Sequence, residues 1–219
     1  MAKTTPDASD GEQRIVTFKI GPKQRHFLIH MDVVCKSSPV FFNALKSGFK
    51  EGTEGVIILE ETEVEVFKIV MDWMYTGRVP LFRKARPRDV VKWGPHEKVL
   101  DEEGNEVELV WDYVMSGVYV FAEMYDMVKL RDFVHTRFKK RFETGIDRTP
   151  PFPSHSTIIR VFNNVPETSP ICKTFARKFA EHWMPAQATQ VELELFQELP
   201  LNFTLMSMTD LAEVRNERS

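Results

Sequence analysis

Cysteine is scarce in this sequence, and long apolar runs and an excess of positive charge are absent. Two cysteines among 219 residues are too few for a disulfide framework in a chain that can bury its own core. No apolar run approaches the about 18 residues of a membrane span, and Met1 to Arg14 lacks the hydrophobic stretch of a signal peptide. Lys and Arg number 29 against 32 Asp and Glu, a net charge of −3, so no basic field favours nucleic acid or membranes. We expect an intracellular protein of the cytoplasm or nucleus.

Motifs of catalysis and of ligand binding are also missing. The sequence contains no dinucleotide-binding glycine motif, P-loop, nucleophile elbow or zinc-protease helix motif. His26 and His30 are four residues apart, but the local pattern places one on a strand and the other at the start of a helix, so a zinc site completed by Cys35 is disfavoured. We therefore predict no catalytic residues, no cofactor and no metal.

Two basic clusters lie at residues 83–88 and 137–141. Either could contact a phosphate or nucleic acid, or form a solvated loop and the polar face of a helix. The second interpretation is favoured because the chain as a whole is acidic.

Alternating side chains predict a β-hairpin after a disordered tail over residues 1–13. Between Ile15 and Ile20, apolar and polar residues alternate with the period of a half-buried strand. Gly21-Pro22-Lys23 forms a turn into a second strand over residues 25–29. A short helix around residues 31–36 follows.

A second helix begins at Ser38-Pro39, where the serine can cap free amides and the proline fits the first turn. Its predicted apolar face consists of Phe41, Phe42 and Leu45. After several glycines, Val56 to Leu59 predicts a buried strand. Thr62 and Glu65 have the spacing of a capping box for the next helix, which Thr76-Gly77 ends.

The second half of the sequence predicts mainly helices. Residues 80–110 are predicted as an insertion loop with a small hairpin at Gly104-Asn105. Helical periodicity then predicts an αα-hairpin whose second helix is capped by Asp126. A proline-rich linker over residues 144–156 leads to a helical extension over residues 157–219. The extension has an apolar stripe formed by Ile171, Phe175, Phe179 and Trp183. We expect this stripe to be core, with a substrate groove as the alternative.

The order of these elements resembles a BTB/POZ domain over residues 14–143. The residues that carry the resemblance are His30 at the end of the hairpin, Ser38 ahead of Phe41 and Phe42, and the helix end Tyr75-Thr76-Gly77. The segment from Ala122 to Leu130 is similar to the closing helices of that family, and the C-terminal part is similar to the extension of fungal BTB proteins. The implied fold class is α+β, a small β-sheet flanked by helical hairpins and followed by a helical region.

The resemblance implies an intracellular protein–protein interaction module and not an enzyme. Many relatives self-associate, and many are substrate adaptors that bind a cullin in a ubiquitin ligase. In such adaptors a hydrophobic-x-Glu tripeptide after the second helix contacts the cullin, and Phe49-Lys50-Glu51 lies at the matching place. Phe49 and Glu51 are therefore candidate cullin-binding residues. The alternatives are that Phe49 covers the domain's own edge and that Glu51 is a solvated turn residue. For the whole protein, the alternative is a self-associating scaffold or transcription-regulatory subunit with no ligase role.

Overall fold

The computed structural model describes residues 14–46, 50–79, 97–100, 106–109, 111–144, 152–183, 193–194 and 196–217. The chain divides into two compact units, residues 1–62 and residues 63–219. The first contains β1 (Ile15–Ile20), β2 (Arg25–His30), α1 (Met31–Ser37), α2 (Pro39–Lys46), α3 (Lys50–Glu54) and β3 (Val56–Leu59). The second contains α4 (Val64–Thr76), β4 (Glu97–Leu100), β5 (Glu106–Leu109), α5 (Trp111–Met124), α6 (Val128–Thr144), α7 (His155–Asn164), α8 (Pro170–His182) and α9 (Leu201–Glu217).

The first unit is built on a three-stranded sheet in the order β2-β1-β3. β1 pairs antiparallel with β2, with Phe18 opposite Phe27, and parallel with β3, with Phe18 opposite Ile57. Val16, Phe18 and Ile20 are buried on one face, as their alternation predicts. Gly21 has a φ of 71° in the turn between β1 and β2. The predicted hairpin and the predicted strand at residues 56–59 are therefore confirmed.

Helix α4 ends as predicted but begins differently. Gly77 follows its last turn in the left-handed conformation, and the Gly77 N–H donates to the carbonyl of Trp73 at 2.8 Å. The predicted capping box of Thr62 and Glu65 is wrong. The residue that precedes the helix is Glu63, its side chain makes no capping bond, and Glu65 instead accepts a hydrogen bond from Lys68 at 2.6 Å.

The predicted αα-hairpin is confirmed as α5 and α6, which pack against each other. The cap predicted at Asp126 is wrong, because Asp126 adopts a positive φ of 49° in the turn and α6 begins two residues later. β4 and β5 pair antiparallel on either side of Gly104-Asn105, which lie outside the described residues.

The C-terminal helices join the core of the second unit through aromatic side chains. Phe175 of α8 makes an edge-to-face contact with Phe138 of α6 at 5.1 Å between ring centroids. One turn later, Phe179 contacts Phe203 of α9 at 5.2 Å, and Phe203 also contacts Phe162 of α7 at 5.0 Å. Ile171, Phe175 and Phe179 of the predicted stripe are therefore core, as expected, while Trp183 directly follows α8 and is half-buried.

The start of α7 bears on the linker predicted at residues 144–156. Ser154 caps this helix by accepting the N–H of Thr157, and the helix begins at His155, inside the predicted linker. The boundaries of the tail, domain, linker and extension remain predictions.

Candidate partner-binding site

The outer surface of α2 is determined by how this helix is anchored. Ser38 accepts the N–H of Phe41 on its side-chain oxygen at 3.1 Å, which satisfies a free amide of the first turn. Phe41 is buried edge-to-face against Phe18, with 5.4 Å between the ring centroids, and Leu45 is buried one turn later. Because this face holds the helix to its unit, the remaining residues of α2 point away from it.

Phe42 is the residue that the sequence analysis placed on the wrong face. The sequence grouped it with Phe41 and Leu45, but 44% of Phe42 is exposed, and Val40 is exposed as well. Adjacent positions on a helix differ by about 100°, and α2 packs with Phe41 and Leu45 against its unit, which leaves Phe42 at the edge of that face. Phe42 is a candidate contact residue that the sequence analysis missed.

Glu51 lies in the first turn of α3 and is exposed. The carbonyl of Glu51 accepts the N–H of Gly55 at 2.9 Å, and the carbonyl of Gly55 accepts the N–H of Thr17 at 2.8 Å. Gly55 has a φ of 66°, which lets the chain turn from α3 directly into β3. The backbone of α3 is thereby attached to the central strand, and α3 packs against α2.

The structure thus places an exposed phenyl ring and an exposed carboxylate on two neighbouring helices of one unit. Phe49, the other predicted contact residue, lies outside the described residues. An exposed aromatic ring can fill an apolar pocket of a partner, and a nearby carboxylate can orient that partner by pairing with a cation. The arrangement of α2 and α3 is therefore suited to protein binding.

Residues 12–92 match the BTB/POZ domain family, a stretch that includes β1 to β3 and α1 to α4. The chain contains a BTB/POZ domain. The match confirms the BTB/POZ resemblance over residues 12–92 and the α+β fold class, and it makes this part of the chain a protein–protein interaction module. No curated protein matches the sequence. The family match ends before α5, so α5 to α9 lie beyond the recognised part of the BTB/POZ domain.

Neither cysteine is suited to act as a nucleophile. Both are free thiols. Burial raises the pKa of Cys35 in α1 of the BTB/POZ domain above its ordinary value. Burial, with the negative charges of Glu123 and Glu167 as lesser causes, raises the pKa of Cys172 to about 12. The thiolate, which is the reactive form, is therefore disfavoured at both positions.

The basic cluster on α6 has one member that is not a surface charge. Arg141 lies 2.6 Å from Asp112 of α5, measured from Nη2 to Oδ2, and Asp112 is almost completely buried. Lys139 and Lys140 are exposed. The expected solvated face is therefore interrupted by a buried ion pair, and the cluster at residues 83–88 lies outside the described residues.

Two further properties concern the described residues only. No group of three His, Cys, Asp or Glu side chains among them could bind a metal ion. Nor does any helix within the described ranges have the length and apolar character needed to cross a membrane.

Proposed function

We propose that this protein is a substrate adaptor of a cullin-RING ubiquitin ligase, in which the BTB/POZ domain binds the N-terminal region of a cullin. The observation that carries the proposal is the surface of α2 and α3, where Phe42 and Glu51 are both exposed on helices anchored to the sheet. The proposal also includes Phe49 as a contact residue, because it directly precedes α3 in the sequence.

A cullin would bind through both an apolar and a polar contact. The exposed ring of Phe42 offers area that a pocket on the cullin can remove from water, at roughly 25 cal/mol per Å². Glu51 adds a charge on a short helix whose backbone is already hydrogen-bonded, so little backbone order must be gained on binding. A few such residues usually supply most of the binding free energy of an interface.

The proposal retains the domain division and location that the sequence predicts. The BTB/POZ fold would extend over residues 14–143 with an insertion at residues 80–110, and the helical region that follows would recruit the client protein. An intracellular location agrees with the usual location of BTB proteins. The likeness of the C-terminal part to fungal BTB proteins stays a prediction.

The test is a calorimetric titration of the full chain with a cullin N-terminal domain. We expect a Kd in the micromolar range or below, and at least a tenfold loss of affinity, about 1.4 kcal/mol, for each of Phe49→Ala, Phe42→Ala and Glu51→Ala. Glu60→Ala and Leu28→Ala are matched controls, since both residues are exposed in the same unit but lie outside α2 and α3. No heat from a folded wild-type chain, or equal losses in the controls, would overturn the proposal.

The alternative is a self-associating scaffold with no ligase role. The observation that favours it is the exposure of Leu201, Leu205 and Met208 on α9. This helix lies outside the residues that match the BTB/POZ family. The molecular mass in solution, measured without a cullin, separates a monomeric adaptor from such a scaffold.

A further inference from the structure

Strand β2 lies at an edge of the three-stranded sheet and is suited to further pairing. It pairs with β1 in continuous register from Arg25 to His30, without a bulge, and within the described ranges β1 is its only strand partner. The strand contains no proline, and its only Lys or Arg is Arg25 at its start. Proteins commonly use prolines, bulges and charges to keep an edge strand from pairing. The main-chain groups of β2 on the side away from β1 are therefore placed to bind an additional strand.

The side chains along this edge are apolar at the centre of β2 and basic at its start. Leu28 is 65% exposed, and the half-buried Phe27 lies on the opposite face of the sheet. Arg25 and His26 are exposed, and His26 lies opposite Lys19 of β1. A strand that is added to β2 would therefore meet two apolar side chains and then a group of basic ones.

Charge distinguishes the hairpin of β1 and β2 from the rest of the chain. Residues 14–30 contain four Lys or Arg and two His but no Asp or Glu, whereas the whole chain has a net charge of −3. Asp32, just after the hairpin, pairs with Lys36 at 3.2 Å, and Glu60 and Glu61 follow β3 at the other edge of the sheet. Positive charge at the start of β2 therefore has no carboxylate of the hairpin beside it, and it would attract a partner that supplies one.

We propose that β2 binds an extended segment of a partner protein as a fourth strand, antiparallel to β2, and that this segment carries apolar residues followed by Asp or Glu. Main-chain hydrogen bonds would hold such a strand, and its alternating side chains would give specificity. In this orientation the apolar residues lie opposite Leu28 and Phe27, and the carboxylates that follow lie opposite His26 and Arg25. The site uses no residue of α2 or α3, so the proposal does not rest on the adaptor role.

Charge also argues against other occupants of this edge. Two antiparallel β2 strands in full overlap would place Arg25 opposite His30 at both ends and bring no carboxylate to the basic side chains. A nucleic acid or an anionic membrane presents many negative charges, and the net negative charge of the whole chain would repel it. A short acidic peptide needs only the basic hairpin, so it fits this edge best.

Fluorescence anisotropy of a labelled peptide, titrated with the full chain, tests the association. The probe is Thr-Val-Leu-Val-Glu-Asp-Glu, and we expect a Kd in the micromolar range, because a short flexible peptide loses conformational entropy on binding. The same peptide with Lys in place of each carboxylate should bind at least about tenfold more weakly. Equal binding of the two peptides, no saturable binding of the acidic one, or equally strong competition by a single-stranded oligonucleotide would overturn the proposal.

Variants of the chain locate the site. Arg25→Glu and Leu28→Glu should each weaken binding of the acidic peptide at least about tenfold, and both should fold normally because the side chains are exposed. Lys46→Glu is the matched control, because it makes the same change of charge at an exposed residue of α2 in the same unit. An equal loss of affinity in Lys46→Glu would show that only net charge matters and would contradict a site on β2.

Hydrogen exchange followed by NMR tests whether the peptide pairs as a strand. We expect the bound peptide to slow the exchange of alternate amides of β2, because neighbouring N–H groups of a strand point to opposite sides. The amides of α2 should exchange at an unchanged rate. Protection of helices or other strands without protection of β2 would overturn the proposal even if the peptide binds. None of these experiments involves a cullin, so their failure is separate from failure of the adaptor proposal.

Discussion

The buried pair of Asp112 and Arg141 predicts an unusual dependence of stability on pH. Asp112 is 3% exposed, and although its Oδ2 lies 2.6 Å from Arg141, its Oδ1 has no hydrogen-bond partner among the described residues. Burial disfavours the carboxylate more than the Arg141 cation favours it, which raises the pKa of Asp112 from 3.8 to about 6. The folded protein therefore holds a proton on Asp112 at pH values where the unfolded chain has lost it.

The magnitude follows from the size of the shift. A group whose pKa is higher in the folded state contributes stability that is fully present below the unfolded pKa and lost as pH rises through the folded pKa. At 1.36 kcal/mol per pKa unit, the loss between about pH 4 and pH 7 is about 3 kcal/mol. Asp112→Asn keeps the shape of the side chain and removes its titration. The stability of the wild type relative to this variant should thus fall by about 3 kcal/mol over that range.

Urea unfolding, followed by circular dichroism at several pH values, measures this difference directly. Comparison with Asp112→Asn cancels the contribution of the other titrating groups. Asp132→Asn, at an exposed carboxylate on the same helix as Arg141, is the control for removing a carboxylate and is measured at the same pH values. A wild type that gains stability over Asp112→Asn as pH rises would refute the reasoning, because the attraction of Arg141 would then exceed the cost of burial.

Three further predictions concern single side chains. Gly117→Ala should destabilise the protein by about 1–3 kcal/mol in urea unfolding, although alanine favours helices, because the new methyl group would overlap the guanidinium of Arg160 and lie 2.7 Å from Cγ2 of the buried Val66; the loss should shrink in a Val66→Ala background and shrink further when Arg160→Ala is added. Gly77→Ala should cost about 1–2 kcal/mol from its left-handed backbone alone, since a methyl group there has open space, and Gly77→Asn should cost less; equal stability of all three proteins would contradict this. Cys172 should not react with a thiol reagent at neutral pH unless the protein is unfolded, so Cys172→Ser should leave the native thiol titre unchanged.

Local sequence patterns predicted the helices and strands of this fold well where a regular alternation or a single glycine determines the backbone conformation. The alternation from Ile15 to Ile20 predicted β1, and Gly77 predicted the end of α4. The stripe on α8 predicted its own burial, because aromatic residues one turn apart on a helix share a face.

The wrong predictions concern neighbouring residues that could each take the same structural role. Phe41 and Phe42 are the same type of residue, and only the direction in which α2 packs decides which of them is buried. Thr62 and Glu65 have the spacing of a capping box, but the helix begins at Val64 and Glu65 pairs within its own first turns. Sequence spacing does not distinguish these outcomes.

The candidate site was predictable only in part for a related reason. Glu51 could be named because it lies in a recognisable tripeptide, and its exposure follows from its place in α3. The ion pair of Asp112 and Arg141 joins residues on different helices, so the basic run on α6 was interpreted as a solvated face. Contacts between residues far apart in the sequence depend on tertiary packing, and a local sequence pattern does not predict them.

The order of strands in the sheet determines when each pair of strands can form during synthesis of the chain. β1 is the central strand, and its antiparallel partner β2 follows after a four-residue turn, so the hairpin can form early. Its parallel partner β3 comes only after three helices. Until residues 56–59 have left the ribosome, one edge of β1 has no strand to pair with. A nascent chain paused before that point presents an open β-edge to its neighbours, and this is the stage at which aggregation or a chaperone would act.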